Sequence, residues 1–259
     1  MSKHAQYKLV RRYTELGQNP LLEGVSGSGK TTLAKQIAED LGLSFNLLGM
    51  TNMTSVSDIL GFKAVNGKYV NSTFRESFEN GGLFLLDEVD AADPNTLLCL
   101  NTMANGYLAF PDKRVEMHKD FRLILTANPS TQGNMYTGRN KLDFSSKNRW
   151  KTIPMPTDLK LEEELTDALS AEIVTAVRKC FIDNGITQVL TMRDTMRYHI
   201  AVKENLAELG EDPLDAFLFA QPQLHTEVTK IVGKVKASKV SLSKPKNISE
   251  LYSLLKARQ

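Results

Sequence analysis

One short glycine-rich segment limits what this 259-residue chain can fold into more than any other feature. Residues 24–31 read GVSGSGKT, which fits the Walker A pattern in full. The apolar pair Leu21 and Leu22 precedes the segment, and a helical pattern over residues 32–41 follows it. In this order the glycines let backbone N–H groups converge on phosphate oxygens at the positive end of the helix dipole. The segment therefore predicts a phosphate-binding loop.

The same loop predicts the roles of individual side chains. We expect Lys30 to reach the β- and γ-phosphates and the Thr31 hydroxyl to ligate Mg²⁺. The other residues that we expect to contact the nucleotide are Gly24, Ser26, Gly27, Ser28, Gly29 and Thr32. The predicted ligand is therefore ATP with Mg²⁺.

A second motif follows residues 83–86, an unbroken apolar run typical of a strand buried on both faces. The run ends in two carboxylates, Asp87 and Glu88. Ligands of parallel α/β sheets bind at the carboxyl edge, which places this pair beside the phosphate loop. We expect Asp87 to hold the Mg²⁺ shell and Glu88 to polarise an attacking water. Small-molecule kinases do not place a carboxylate in the role of Glu88, so the pair favours hydrolysis.

A third apolar run, residues 121–127, ends in Asn128. Taken alone, an asparagine before Pro129 is a turn former. Downstream of the two stronger motifs, Asn128 is expected to lie between the acidic strand and the γ-phosphate. In that position its amide helps to place the attacking water.

The wider pattern predicts an α/β domain followed by a helical one. Strands alternate with helices over residues 1–157, which predicts a parallel sheet sandwiched by helices. Over residues 158–232 apolar residues recur at helical spacing, as at Met192, Met196 and Ile200, and predict a small all-helical lid domain. The last segment, residues 233–259, is rich in Lys and Ser and predicts a linker followed by a short helix.

Composition excludes several classes of protein without indicating an activity. Hydrophobic residues make up 41% and charged residues 24%, and 32 basic against 30 acidic side chains leave a net charge of +2. So small an excess argues against a nucleic-acid coat or a membrane-surface protein. No apolar run approaches the roughly 20 residues that span a bilayer, and two cysteines with no secretory leader favour a cytoplasmic protein without disulfides.

These motifs together resemble the AAA+ ATPases, and within them the MoxR-like, dynein-related branch. The similarity is greatest to ATPases like the cobaltochelatase small subunit (CobS-like) and to the CbbQ/NorQ activators. It extends over roughly residues 18–200. The segments that carry it are residues 20–24, 82–90, 121–128, 136–143 and 148–150.

The resemblance implies roles for three polar residues. Asn128 matches sensor 1, and Arg149 matches the arginine finger that reaches the nucleotide of the neighbouring subunit. The phosphoryl transition state needs cations on its equatorial oxygens, and an arginine supplied in trans couples hydrolysis to assembly. Arg139 is a second candidate for the same interface.

Arg193 resembles sensor 2 at the start of a lid helix. A cation in a first helical turn opposes the helix dipole, so a compensating anion is expected near it. An ATP phosphate is one candidate for that anion. A plain salt bridge to Asp194 or Glu204 is the alternative.

Two insertions resemble hairpins of the same branch. Residues 61–70 contain Asn66 and Gly67, a strong hairpin signal, and match the helix-2 insert. Residues 106–119 resemble the hairpin before sensor 1. In related rings such hairpins face the pore or the partner, although their aromatic and basic residues serve packing and solubility equally well.

The resemblance therefore implies a Mg²⁺-dependent ATPase that assembles into a homo-oligomeric ring, a hexamer, with ATP between subunits. Its work is remodelling or metal-loading of a protein client, which in this branch often carries a von Willebrand A domain. A nucleic-acid motor is a disfavoured alternative, supported only by the lysines of residues 234–246. A monomeric P-loop kinase is another, and a non-hydrolysing scaffold is a third that intact Glu88 and Asn128 oppose. No membrane partner is expected.

Overall fold

The apolar runs of the first half of the chain form a parallel sheet in the computed structural model, which describes residues 2–129, 150–218 and 221–242. In chain order the strands are β1 (Pro20–Glu23), β2 (Phe45–Gly49), β3 (Phe62–Lys63), β4 (Tyr69–Val70), β5 (Gly82–Asp87), β6 (Tyr107–Ala109), β7 (Arg114–Glu116), β8 (Phe121–Ala127) and β9 (Lys151–Pro154). Five of them pair in the order β2-β5-β8-β1-β9, all parallel. The predicted α/β fold is confirmed.

Helices surround this sheet and make up the second half of the chain. The whole chain divides into two compact units, Met1–Asp158 and Leu159–Gln259. The α-helices are α1 (Tyr7–Glu15), α2 (Lys30–Asp40), α3 (Val56–Leu60), α4 (Thr73–Asn80), α5 (Leu159–Leu165), α6 (Ala168–Asp183), α7 (Met192–Lys203), α8 (Asp215–Leu218) and α9 (His225–Leu242). Short 3-10 segments are Val89–Ala91, Pro94–Asn105, Leu206–Leu209 and Pro222–Leu224. Asp93 caps the segment Pro94–Asn105 by accepting from the N–H of Asn95 at 2.8 Å.

Successive side chains of the central strands enter two apolar layers, because strand side chains alternate between faces. Leu83 and Leu85 of β5 pack with α1 and α2 on one face. Phe84 and Leu86 enter the other layer, where Phe84 meets Phe74 of α4 edge-to-face at 5.1 Å between ring centroids. Burial on both faces explains why the run at residues 83–86 is continuously apolar.

The N-terminal residues are tied to the last residues of the first unit. The buried His4 accepts from the N–H of Gln6 at Nδ1 and donates from Nε2 to the carbonyl of Pro156, at 3.0 and 3.1 Å. The N–H of Ala5 donates to the Asp158 carboxylate at 2.6 Å. The chain that leaves β9 is therefore held against the segment before α1.

Both predicted hairpins are confirmed. In the first, β3 and β4 pair antiparallel, and Gly67 has a φ of 78° at the turn, where a Cβ would be strained. In the second, β6 pairs with β7, and Leu108 lies opposite Val115.

The buried guanidinium of Arg75 in α4 contacts both hairpins, at β4 of the first and at the turn, residues 110–113, of the second. Its Nη1 donates to Asp112 of the second hairpin at 2.6 Å and its Nε to Glu79 at 3.1 Å. The group lies between the rings of Tyr69, in β4, and Phe110, at 4.3 and 4.9 Å. Burial acts to lower the pKa of Arg75, but hydrogen bonds to Asp112, Tyr69 and Glu79 raise it above its usual range.

The second unit encloses its own apolar core and an ion pair. Within its described residues, 159–218 and 221–242, every regular element is helical. The fully buried Glu162 of α5 accepts both terminal nitrogens of Arg178 at 2.7 and 2.8 Å. Thr195 of α7 also donates to Glu162. Both partners are well hydrogen-bonded, which offsets the cost of burying the charges.

The prediction that Met192, Met196 and Ile200 form the buried apolar face of α7 is wrong. Met192 is buried, but Met196 and Ile200 are 39% and 49% exposed. The helix instead turns Thr195 and Tyr198 inward, because Thr195 bonds to Glu162 and the Tyr198 ring packs on Phe217 at 4.9 Å.

The linker prediction is wrong for residues 233–242, because α9 continues to Leu242. Val228 and Val232 are buried and Val235 packs against the same core, so apolar contacts recur at helical spacing. This burial outweighs the Lys- and Ser-rich composition.

Within residues 2–129, 150–218 and 221–242, no helix has both the length and the apolar character that crossing a bilayer requires.

Replacing Arg75 with alanine should lower the free energy of unfolding by about 2 kcal/mol, since it removes charged hydrogen bonds and ring contacts from a buried position. Denaturant unfolding followed by circular dichroism measures this. The control is Arg114→Ala, because Arg114 also pairs with a carboxylate and stacks on Tyr107 but its side chain is 59% exposed. A loss of about 0.5 kcal/mol or less is expected there. Equal losses in the two variants would contradict the holding role of Arg75.

Candidate functional site

The glycine-rich loop joins β1 to α2 at the carboxyl edge of the sheet. Gly27 and Gly29 have φ values of 79° and 88°, in the left-handed region that a side chain disfavours. The helix starts at Lys30, two residues earlier than its apolar pattern predicts. The N–H groups at the start of an α-helix have no partners within the helix, so the first turn of α2 is suited to binding an anion.

Gly24 is required for a different reason, which is close approach. Its N–H donates to the carbonyl of Ala127 in β8 at 3.1 Å. A Cβ at this position would lie 2.5 Å from the carbonyl oxygen of Met155 and 2.7 Å from its Cβ. The loop is therefore clamped between the ends of β8 and β9.

Lys30 and Ser28 are buried within the loop. The Lys30 ammonium donates to the carbonyls of Gly24 and Val25 at 2.6 and 2.9 Å. The Ser28 hydroxyl is buried without a hydrogen-bond partner among the residues that the structure describes. Ser26 is half-buried in the loop, and Thr32 is exposed in the first turn of α2. All the predicted phosphate contacts thus lie on one continuous loop and helix start.

The two predicted metal ligands are brought together. Thr31 Oγ1 donates to Asp87 Oδ2 at 2.9 Å, although the residues are far apart in sequence. The other carboxylate oxygen, Oδ1, accepts from the hydroxyl of Thr126 in β8. A carboxylate beside a hydroxyl is an oxygen donor set that suits Mg²⁺.

Glu88 follows Asp87 directly but turns out of the strand. Its φ and ψ are 59° and 46°, a left-handed conformation that is uncommon for a residue with a Cβ. Its N–H donates to Thr126 Oγ1 at 2.8 Å. Strained backbone of this kind clusters at active sites, ligand clamps and switch regions.

Asn128 lies at the end of β8 and is buried. Its N–H and its side-chain amide donate to the two carboxylate oxygens of Asp90, at 3.2 and 3.4 Å. Asp90 is in the 3-10 turn Val89–Ala91 that follows the acidic pair. The ends of β5 and β8 are thereby joined by a second polar contact.

Sequence reasoning missed Thr126 and Asp90. The available signal for Thr126 was a hydroxyl near the end of an otherwise buried strand, two residues before Asn128. For Asp90 it was a third carboxylate within four residues, which reads equally well as a solvated turn.

Arg193 lies in the second unit, in the first turn of α7, and is exposed. Asp194 is engaged as the helix cap, accepting from the N–H and hydroxyl of Thr191 at 2.8 Å each, and its other oxygen pairs with Arg197 at 3.7 Å. No ion pair to Arg193 occurs within residues 2–129, 150–218 and 221–242. Arg139 and Arg149 lie outside the described residues, so their roles stay predictions.

The residues of the first unit fit a nucleotide phosphate and a divalent cation. A Cβ at Gly24 would fill the space between the loop and Met155, and the buried Ser28 hydroxyl lacks a hydrogen-bond partner in the described chain. Thr31 and Asp87 supply the hard oxygen ligands that a divalent cation prefers. A phosphate loop joined to an acidic strand end in this way places the protein in the class of P-loop ATPases. The chain belongs to the AAA domains of the dynein-related subfamily, whose family model matches residues 19–149.

Several proteins of known sequence are similar to this chain over part of their length. Midasin from Dictyostelium discoideum is 31% identical over 163 residues, 59% of this chain and 3% of midasin. Midasin from Giardia intestinalis is 32% identical over 140 residues, 51% of this chain and again 3% of the relative. An uncharacterised Staphylococcus saprophyticus protein is 30% identical over 151 residues, covering 54% of this chain and 56% of its own. The chain thus spans less than two thirds of each.

The crystal structure of NtrX from Brucella abortus aligns with 93% of this chain and with 51% of the NtrX chain, at 15% sequence identity. The TM-score of 0.49 is too low for this structure to add to the family assignment. ATP with Mg²⁺ is the usual cofactor of that family. The narrower resemblance to CobS-like and CbbQ/NorQ ATPases stays a prediction.

Replacing Gly24 with alanine should weaken nucleotide binding by about tenfold or more, because the new Cβ displaces backbone at Met155 and moves the loop. Titration with a fluorescent ATP analogue measures the affinity. Gly49→Ala is the control, since a Cβ on this strand glycine meets no atom within 4 Å and its φ is ordinary. Wild-type affinity in the Gly24 variant would show that the loop tolerates the shift.

Proposed function

We propose that this protein is a ring-forming ATPase that uses Mg²⁺ and ATP to do conformational work on a protein client. The observation that carries the proposal is the hydrogen-bonded series at the strand ends, in which Thr31 bonds to Asp87, Asp87 to Thr126, and Thr126 to the backbone of Glu88. Phosphate binding, metal binding and water activation need those groups within a few ångströms of each other.

In this proposal the loop residues bind the triphosphate, and Lys30 offers its ammonium to the β- and γ-phosphates. Thr31 and Asp87 hold Mg²⁺, which when bound neutralises charge on the phosphates. Glu88 accepts a proton from the attacking water, and Asn128 orients that water through its side-chain amide. The bond from Asn128 to Asp90 and the left-handed backbone of Glu88 support these roles, because both restrict where the two side chains can point.

Arginines complete the site in the proposed ring, a hexamer. Arg149 acts as the finger that reaches the neighbouring subunit's nucleotide, with Arg139 as a second candidate for that interface. Arg193 acts as sensor 2. Support for Arg193 comes from its exposure and from the engagement of Asp194 elsewhere, which leave its guanidinium available to an anion. Cations at these positions offset the charge that spreads over the transferred phosphoryl group.

The proposed client is a protein, and the hairpins offer a surface for it. A groove of about 540 Å³ lies between α3 and the two hairpins. Phe62 is half exposed at its edge, and Val65 is fully exposed at the turn of the first hairpin. Residues that line the groove include Ser55, Val56, Leu60, Phe62 and Phe110. A client with a von Willebrand A domain, and metal loading as the work, follow only from the resemblance to CobS-like ATPases.

The alternatives have less support. A net charge of +2 counts against a nucleic-acid motor. Membership of the AAA family counts against a monomeric small-molecule kinase. A cytoplasmic location is part of the proposal and is consistent with Cys99 and Cys180, which are both free thiols.

Glu88→Gln should bind ATP with near-normal affinity but lose turnover by about 10²- to 10⁴-fold, because glutamine fills the same space and cannot accept the proton. Phosphate release and nucleotide titration on one preparation measure the two properties. Glu116→Gln, a carboxylate to amide change at an exposed hairpin position, should leave both unchanged. Retained hydrolysis in the Glu88 variant would remove Glu88 from the role of base.

A finger supplied in trans predicts complementation between inactive variants. Arg149→Ala keeps its own Glu88, and Glu88→Gln keeps its own Arg149, so each alone should be inactive. Co-expressed mixed rings should regain measurable ATPase activity wherever an intact Glu88 faces an intact Arg149. The control mixes Arg149→Ala with a Glu88→Gln/Arg149→Ala double variant, which contains no such interface. Absence of recovery in mixed rings verified by mass spectrometry would contradict action in trans.

A further inference from the structure

Thr126 is a fully buried polar side chain near the end of β8. Its neighbours Ile124 and Leu125 are packed in the two apolar layers of the sheet. A hydroxyl at such a position is unfavourable unless it is hydrogen-bonded. The position therefore calls for an explanation other than packing.

Two hydrogen bonds engage the hydroxyl, one as acceptor and one as donor. Thr126 Oγ1 accepts from the Glu88 N–H at 2.8 Å and donates its own proton to Asp87 Oδ1. The other oxygen of Asp87 accepts from Thr31 at 2.9 Å. One hydroxyl thus joins the carboxylate of one site residue to the backbone of the next.

The backbone of Glu88 needs this partner because it leaves the sheet. The pairing of β5 with β8 ends at Leu86 and Leu125, and Glu88 then adopts the left-handed conformation. That conformation is unfavourable for a residue with a Cβ, so a bond to its N–H helps to maintain it. Valine has nearly the same shape as threonine but would leave both the N–H and Asp87 Oδ1 without this partner.

We propose that Thr126 is a positioning residue for ATP hydrolysis. Its hydroxyl fixes the orientation of Asp87 towards the metal and holds the turn that aims Glu88 at the water. The inference rests on the metal and base roles given to Asp87 and Glu88 in the proposed function.

The experiment compares Thr126→Val with Thr126→Ser. Affinity for a fluorescent ATP analogue is measured in EDTA and in Mg²⁺, and turnover is measured on the same samples. In the valine variant we expect metal-free affinity within about twofold of wild type, and a Mg²⁺-dependent gain in affinity that is smaller by about tenfold. Turnover should fall by at least as much. Serine, which keeps the hydroxyl, should restore both to within about threefold.

Ile124→Val is the matched control, because Ile124 is fully buried on the same face of the same strand, two residues before Thr126, and packs in the apolar layer with α1 and α2. It should lower the unfolding midpoint without changing the Mg²⁺-dependent gain. A wild-type gain and turnover in Thr126→Val would overturn the inference, as would a folded Thr126→Ser that behaves like valine. Should Thr126→Val not fold, Thr126→Ala and Thr126→Ser replace the comparison, since both lack the methyl group and only serine keeps the hydroxyl.

Asp87→Asn separates this inference from the proposed function. If that variant keeps the Mg²⁺-dependent gain, the metal role of Asp87 fails and the role of Thr126 fails with it. If it loses the gain while Thr126→Val keeps it, only the inference about Thr126 is overturned.

Discussion

Parallel hydrogen bonding among β5, β8 and β1 is the constraint on which the rest of the first unit depends. It sets three strand ends side by side, so that the phosphate loop, the acidic pair and Asn128 meet although they are far apart in the chain. The close approach of Gly24 to Ala127 and the bond from Thr31 to Asp87 are consequences of that register. A slip of one residue would turn every side chain of the slipped strand to the other face and separate these groups.

The chemistry of the site could be predicted from the sequence because its parts are local. A glycine loop, a strand ending in Asp87 and Glu88, and a strand ending in Asn128 each have a signature within a few residues. Thr126 and Asp90 could not be found in this way, since their partners lie on another strand and the pairing becomes visible only in the folded sheet. The exposed face of α7 was missed for the same reason, because the bond from Thr195 to Glu162 rotates the helix against its apolar pattern.

In each unit an arginine, the buried Arg75 in the first and the partly buried Arg178 in the second, joins neighbouring elements through charged hydrogen bonds. Arg75 connects α4 with the two hairpins, and Arg178 connects α6 with Glu162 of α5. Apolar contacts tolerate small displacements, whereas charged hydrogen bonds depend on distance and angle. A buried charge pair therefore selects one arrangement of the surrounding elements at a cost in desolvation. Arg75 thereby adds a charged contact to the apolar packing of Leu108, Phe110 and Val115, which attaches the second hairpin of the proposed client surface to the core.

The contact between Gly24 and Met155 has a mechanical consequence. Met155 donates its N–H to Glu23 at 2.7 Å, and the chain beyond it is tied at Pro156 and Asp158 to the N-terminal residues. With no space for a Cβ between the loop and Met155, the two backbones behave as one solid part. The phosphate loop is thus in direct contact with the stretch of chain that leads into Leu159–Gln259. Within the first unit, close contacts and hydrogen bonds therefore run without a gap from the phosphate loop to Asp158, the last residue of that unit.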